Sequence, residues 1–206
     1  MGSNTNRGHF ELLIATQNTG KVDEFREILR NLPFNLVDLR SFPELHGIEE
    51  TGSTFEENAR IKAAGYAKAS GLYSIADDSG LEIHALDGAP GVRSARFAGP
   101  GMGYDVKISQ ILAKLDASGH ADRSARFVSQ IVLADTSGCI VYEAEGVCEG
   151  TIADRPRGSN GFGYDPIFIP TGFTKTFGEL DHNVKQGISH RARALAKIIR
   201  FLRDFA

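Results

Sequence analysis

Cysteine is scarce in this chain of 206 residues, with Cys139 and Cys148 the only two. Lacking CxxC spacing, they cannot make a zinc site by themselves, and so few thiols fit a reducing cytoplasm. They are expected to serve as small apolar fillers in adjacent strands. Long apolar runs are missing too: none approaches the roughly 18 residues needed for a membrane span. The opening MGSNTNRGHF is polar and has no apolar signal-peptide core, so residues 1–9 read as a disordered leader. Positive charge is not in excess either. With 23 Lys and Arg against 26 Asp and Glu the net charge is −3, which excludes a broad basic surface for duplex nucleic acid. A local basic cluster around a small anion stays compatible with that total. No internal repeat and no linker divide the chain, so residues 10–206 are expected to form one domain.

What is there reads as alternating α and β structure. Phe10 to Ala15 is a short apolar run, followed by TQNTGK. Val22, Phe25, Ile28, Leu29 and Leu32 then recur at helical spacing, with Asp23, Glu24, Arg26 and Glu27 on the polar side and Pro33 as the stop. Phe34 to Leu39 predicts a second strand. Ser53 and Thr54 each precede a glutamate by three residues, a capping-box pattern, and Phe55, Ala59, Ala63, Tyr66 and Ala67 make the stripe of a helix that Gly71 closes. The strand YSIAD delivers Asp77 and Asp78 at its carboxyl end, where open α/β sheets bind ligands. Gly88 to Gly103 predicts a long irregular loop and Asp105 to Leu115 a helix. ARFVSQIVLAD and CIVYEAEGVCEGTI predict a hairpin around TSG. A short strand follows the loop RPRGSNGFGYDP, and an amphipathic helix with Leu195, Ile198, Ile199, Leu202 and Phe205 on one face ends the chain. The fold class is α/β, a long twisted mixed sheet with flanking helices.

Several stretches can carry chemistry. At TQNTGK a strand passes into a helix, whose N-terminal N–H groups and partial positive charge suit phosphate, and Lys21 adds a full charge. The pattern is not a Walker loop, and a plain helix cap is the competing reading. Asp77 and Asp78 repel each other and resist burial unless a cation or proton compensates, whereas Asp, Ser and Gly together also make a simple turn. If the strand runs through them they face opposite sides of the sheet, so one of the two faces a given site. A hard divalent ion takes a few carboxylates and substrate phosphate oxygens. Candidates nearby are Glu49, Glu50, Glu56 and Glu57, the last two also serving as caps. In GFGYDPIF, Phe162 and Tyr164 between glycines can offer a ring face to a nucleobase and Asp165 can accept base N–H groups, or the stretch is a tight turn with two core aromatics. Ser189 is placed to cap the last helix, which opens with His190 and Arg191.

TQNTGKVDEF, EETGSTFEENARIKA, ADDSGLEIHALDGAPGVRSARFAG, GFGYDPIF and ISHRARAL follow one another from about Leu12 to the C-terminus. In that order they resemble the inosine triphosphate pyrophosphatase family. The resemblance implies a two-lobed fold with the active-site cleft between the lobes. It also implies a homodimeric, Mg²⁺-dependent hydrolase that converts ITP, dITP or XTP into the monophosphate and pyrophosphate, with no nucleic-acid or membrane partner. Position by position, Thr16, Gln17, Asn18, Thr19, Gly20 and Lys21 match the phosphate-contacting loop. Glu49 and Asp78 match the metal acids, Asp78 also matching the proton acceptor. Lys62 and Ser79 match further substrate contacts. Phe162, Gly163, Tyr164, Asp165, Lys185, His190 and Arg191 match the base side. Two other readings stay open: a Maf-like pyrophosphatase acting on other bases, and a nucleotide sensor without catalysis, which release of pyrophosphate separates from an enzyme.

Overall fold

A computed structural model describes residues 10–99 and 101–205, with side chains as far as Arg203. The leader expected over residues 1–9 lies outside the described residues. Six strands form one mixed sheet in the order β2-β1-β3-β4-β5-β6. These are β1 (Phe10–Ile14), β2 (Phe34–Asp38), β3 (Tyr73–Ile83), β4 (Ser124–Ala134), β5 (Ile140–Ile152) and β6 (Phe168–Pro170). β1 is parallel to β2 and β3, and every later pairing is antiparallel. Among the described residues five α-helices pack about the sheet: α1 (Thr19–Leu29), α2 (Phe55–Ser70), α3 (Tyr104–Ser118), α4 (His182–Ile188) and α5 (His190–Phe205).

Local chemistry accounts for most boundaries. Asn18 caps α1 by accepting from the Lys21 N–H at 3.1 Å. Thr54 caps α2 by accepting from Glu57 N–H at 3.1 Å, while the Glu57 carboxylate reaches back to Ser53 N–H at 2.6 Å. Gly71, in the left-handed conformation at φ 71°, ends α2. Four expectations need correction. α1 stops at Leu29, so Pro33 begins the run into β2 instead of breaking the helix. α4 is a separate short helix that the apolar spacing did not disclose. Cys148 is buried in β5 as expected, but Cys139 is exposed in the β4–β5 connection.

The fourth correction matters most. β3 does not end at the aspartates. Its ladder with β4 continues through Asp77↔Ile131, Asp78↔Gln130, Ser79↔Ser129 and Gly80↔Val128 to Ile83. Such a strand puts Asp77 and Asp78 on opposite faces. Asp77 shares its face with Ile75, against the core that α1 and α5 cover through Phe25, Leu29, Leu195 and Ile198. Asp78 shares its face with Ala76, against α2, whose Ala59, Ala63 and Ala67 let the helix sit close on the sheet. Each fully buried side chain such as Phe25 or Leu195 contributes about 1.5–3 kcal/mol. The far half of β3, with Leu81 and Ile83, enters a third cluster built with α3, Phe168 and Phe177. The DDSG stretch therefore spans the junction between two lobes.

Candidate active site

A pocket opens at that junction, lined from one lobe by Asn18, Lys21, Lys62 and Asp78 and from the other by Phe162, Tyr164 and Asp165. On the α2 side, Asp78 Oδ1 accepts from Lys62 Nζ at 2.8 Å, and the same ammonium donates to the Asp77 carbonyl at 3.0 Å. Asp78 Oδ2 is buried and has no hydrogen-bond partner. Burial raises the Asp78 carboxyl above its ordinary value, against the pull of Lys62 and Lys21. Glu50 lines the same pocket, 3.4 Å from Lys62 and 3.6 Å from Arg96. Its loop is fastened to α2 by fully buried Asn58, which accepts from Gly52 N–H at 2.8 Å and donates to Gly52 C=O at 3.3 Å. Glu49, one residue earlier, is exposed and outside the pocket lining.

On the opposite face, Asp77 is the centre of a closed set of charges. Its carboxylate is 2.7 Å from Lys21 Nζ and 3.1 Å from Arg191 Nη2, and it accepts from Ser129 Oγ at 2.5 Å and Ser79 Oγ at 3.0 Å. Burial would raise this carboxyl, but Arg191 and Lys21 outweigh it and hold it far below the usual range. Arg191 also pairs with Glu24, and its Nη2 donates to Ser79 Oγ at 2.8 Å. Glu24 in turn accepts from Lys185 at 2.8 Å, and Lys185 donates to Asp165 at 2.6 Å. Despite its burial, Arg191 and Lys185 bring Glu24 down to a pKa of about 2.

The base-side stretch is equally constrained. Phe162 packs on the first turn of α1, where a Cβ at Gly20 would come within 2.7 Å of its ring. Gly20 thus admits an aromatic ring to the helix N-terminus. Lys185 Nζ lies 4.7 Å from the Phe162 ring centre, a cation–π contact. Asp165 Oδ2 accepts from Phe162 N–H at 2.8 Å, and burial raises its carboxyl although Lys185 opposes this. Tyr164 is a wall residue, its hydroxyl donating to Ser94 C=O at 2.9 Å. Gly163 adopts φ 69° between them. His190 is buried, stacked on Phe127 at 4.7 Å, with Nδ1 unpartnered, and burial followed by Arg191 keeps its pKa well below 6.5. Ser189 caps α5 by accepting from Ala192 N–H at 3.2 Å.

The expected residues thus divide. Asn18, Lys21, Lys62, Asp78, Ser79, Phe162, Gly163, Tyr164, Asp165, Lys185, His190 and Arg191 meet around one pocket. Thr16, Gln17 and Thr19 line a different depression beside Asp38 and Arg40. Sequence reading missed Glu24, assigned to a polar helix face, although its place one turn beyond Lys21 puts both on one side of α1. It also left Arg96 and Ser129 without a role, and named Glu50 only among the acids that could meet a divalent ion. Lining cations outnumber lining carboxylates, so the pocket suits an anionic ligand.

The sequence profile of the Ham1 family matches residues 12–201. A dITP/XTP pyrophosphatase of an Exiguobacterium species is 47% identical over 188 residues, covering 91% of this chain and 94% of the relative. One from Gloeobacter violaceus is 46% identical, covering 91% and 92%. Among solved structures, a HAM1 protein from Coxiella burnetii superposes with a TM-score of 0.87 at 44% identity, covering 95% of this chain and 99% of that one. The Ham1 protein of Staphylococcus aureus gives 0.84 at 39% identity, covering 95% and 100%. With a match over nearly its whole length, this chain belongs to the Ham1 family.

Proposed function

We propose that the protein hydrolyses the non-canonical purine triphosphates ITP, dITP and XTP to the monophosphate and pyrophosphate, removing deaminated purines from the nucleotide pool. The observation that carries this reading is the buried, unpartnered Asp78 Oδ2 beside Lys62, in a cationic pocket that His190, with its own unpartnered Nδ1, also lines. In this reading the cations beside Asp78 meet the phosphates and His190 meets the edge of the base. The names of the relatives point the same way.

Water attacks the α-phosphorus and pyrophosphate leaves. Such transfers need little covalent help, so positioning and charge neutralisation carry them. Asp78 orients the water and is placed to take its proton, its carboxyl being raised toward neutrality by burial. Lys21 and Lys62 flank the phosphates. Phe162 offers a face to the base and closes the pocket above α1. The neutral His190 ring, with its proton on Nδ1, donates to the 6-oxygen that hypoxanthine and xanthine carry and adenine lacks. Arg191, whose guanidinium is committed to Glu24, Asp77 and Ser79, holds the base wall in place.

The residues fit a hard divalent ion such as Mg²⁺. No group of three or more His, Cys, Asp and Glu is gathered among the described residues, but Mg²⁺ uses only one or two carboxylates with phosphate oxygens and waters. Asp78 would hold it, while Glu49, the second acid that the resemblance implies, stands exposed outside the pocket lining. When bound it supplies charge neutralisation at the phosphates. A two-fold homodimer acting in the cytoplasm completes the reading, and a monomer in sedimentation at micromolar protein would exclude the dimer.

The decisive assay is a panel of ITP, dITP, XTP, GTP and ATP with Mg²⁺, scored for pyrophosphate against orthophosphate. Pyrophosphate from the first three, with GTP and ATP poor, is expected. Orthophosphate release, or binding without turnover, would overturn the assignment.

A further inference from the structure

Five cationic side chains line the pocket, and four of them are tied to deeply buried carboxylates. Lys21 is 2.7 Å and Arg191 3.1 Å from Asp77, Lys62 is 2.8 Å from Asp78, and Lys185 is 2.6 Å from Asp165. The fifth, Arg96, is different. Its side chain is 53% exposed, and its ion pair, with Glu50, spans 3.6 Å, beyond ordinary hydrogen-bond length. Among the described residues, its donor fork is therefore the one in the pocket not committed to a hydrogen-bonded carboxylate. Through Glu50 it adjoins Lys62 and Asp78.

The backbone that carries Arg96 is fixed with unusual care for a surface loop. Ser94 C=O accepts from Tyr164 Oη at 2.9 Å, and Ala95 C=O accepts from buried Lys107 Nζ at 2.7 Å. Ser94 Oγ accepts from Leu81 N–H at 2.9 Å and donates to Gly91 C=O at 2.6 Å. Gly80 makes this seat possible, since a Cβ there would lie 2.4 Å from Ser94 Oγ and 2.5 Å from Gly91 O. Two residues beyond Arg96, Ala98 holds a positive φ of 68°, a conformation that persists in a non-glycine residue only where its surroundings impose it. A half-exposed long side chain thus projects from a backbone that hydrogen bonds fix.

We propose that Arg96 is a further substrate-binding residue, which clasps the terminal phosphates of the nucleotide and the pyrophosphate they become, with Glu50 its resting partner. The inference rests on the triphosphate reading above. A guanidinium presents paired N–H donors matched to phosphate oxygens. Negative charge gathers on the departing pyrophosphate as its bond to the α-phosphorus breaks, so a donor there acts where charge develops. Glu50, itself anionic, holds the cation near the pocket until phosphate replaces it.

Product inhibition of the Mg²⁺-loaded enzyme tests this. In Arg96→Gln the inhibition constant for pyrophosphate should rise about tenfold or more, while that for IMP stays within about twofold and the melting temperature is unchanged. Arg96→Lys, which keeps the charge and loses the fork, should fall between. An unchanged pyrophosphate constant overturns the proposal, and so does an equal rise for IMP and pyrophosphate, which would mean a displaced loop. Should the wild-type enzyme release no pyrophosphate from ITP, the function reading itself fails. A wild type that does so, with variants of unaltered pyrophosphate affinity, refutes the Arg96 assignment alone.

Discussion

On the α1–α5 side of β3, Glu24, Asp77, Asp165, Lys21, Lys185 and Arg191 satisfy one another within a closed, buried set of ion pairs. Across the strand, Asp78 keeps an oxygen unpaired, and Glu50 and Arg96 stand partly exposed at long separations. Both faces carry acids and bases from the same short stretches of sequence. The two adjacent aspartates titrate in opposite directions: the protein stabilises the charge on Asp77 and destabilises the charge on Asp78. A saturated charge cluster is architecture, holding the base wall to the phosphate wall. An unsaturated one is where a ligand can add its own charge.

Substitutions can break that contrast or sharpen it. The largest effect is expected at Asp77. Asp77→Asn leaves Lys21 buried without its counter-charge and Arg191 with Glu24 as its remaining carboxylate, and removing one partner of a buried pair costs about 3–5 kcal/mol. Urea unfolding should show a loss on that scale; a variant as stable as the parent would mean that Asp77 is not the structural member.

Glu24 adds a pH dependence of known sign. Its folded value of about 2 lies below the ordinary 4.5, so its contribution is complete above pH 4.5 and is lost as pH falls toward 2. That difference corresponds to about 3 kcal/mol. Denaturant unfolding at pH 7, 4 and 3 should show this loss in the parent. Glu24→Gln should start less stable at pH 7 and fall less steeply, and parallel curves would contradict the argument.

At Asp78 the expectation inverts. Asp78→Asn keeps shape and removes a charge that burial already disfavours, so melting should change little. Turnover of ITP should fall about a hundredfold or more, the scale of losing a central electrostatic group. Near-normal turnover at saturating Mg²⁺ would remove Asp78 from the mechanism.

The smallest effect belongs to His190. His190→Phe keeps an aromatic ring on Phe127 and deletes both ring nitrogens. The preference for ITP over ATP in kcat/KM should shrink about tenfold, within the 1–3 kcal/mol of an unmet buried hydrogen bond. An unchanged ratio would mean that other groups read the 6-oxygen.

Much of the fold was legible because it rests on local rules. Asn18, Thr54 and Ser189 cap helices where their side chains predict, and the β-rich runs on either side of TSG disclosed the hairpin. The end of β3 was misplaced because Asp-Ser-Gly is turn chemistry, and only cations arriving from three helices on two faces allow a strand to carry those carboxylates through. Glu24 escaped for a related reason. Helical spacing ranks it as polar and therefore outward, and its partners are more than 160 residues away.

The sequence by itself determined the α/β order, the caps, the small-residue stripe of α2 and the set of acids, bases and aromatics from which a site could be made. It did so because spacing, backbone conformation and capping act within a few residues. Only the tertiary structure decided which acids are partners and which are vacant. Charge compensation depends on distance through space and on burial, and neither Asp77 nor Asp78 carries in its neighbours along the chain any sign of whether Arg191 or open pocket faces it.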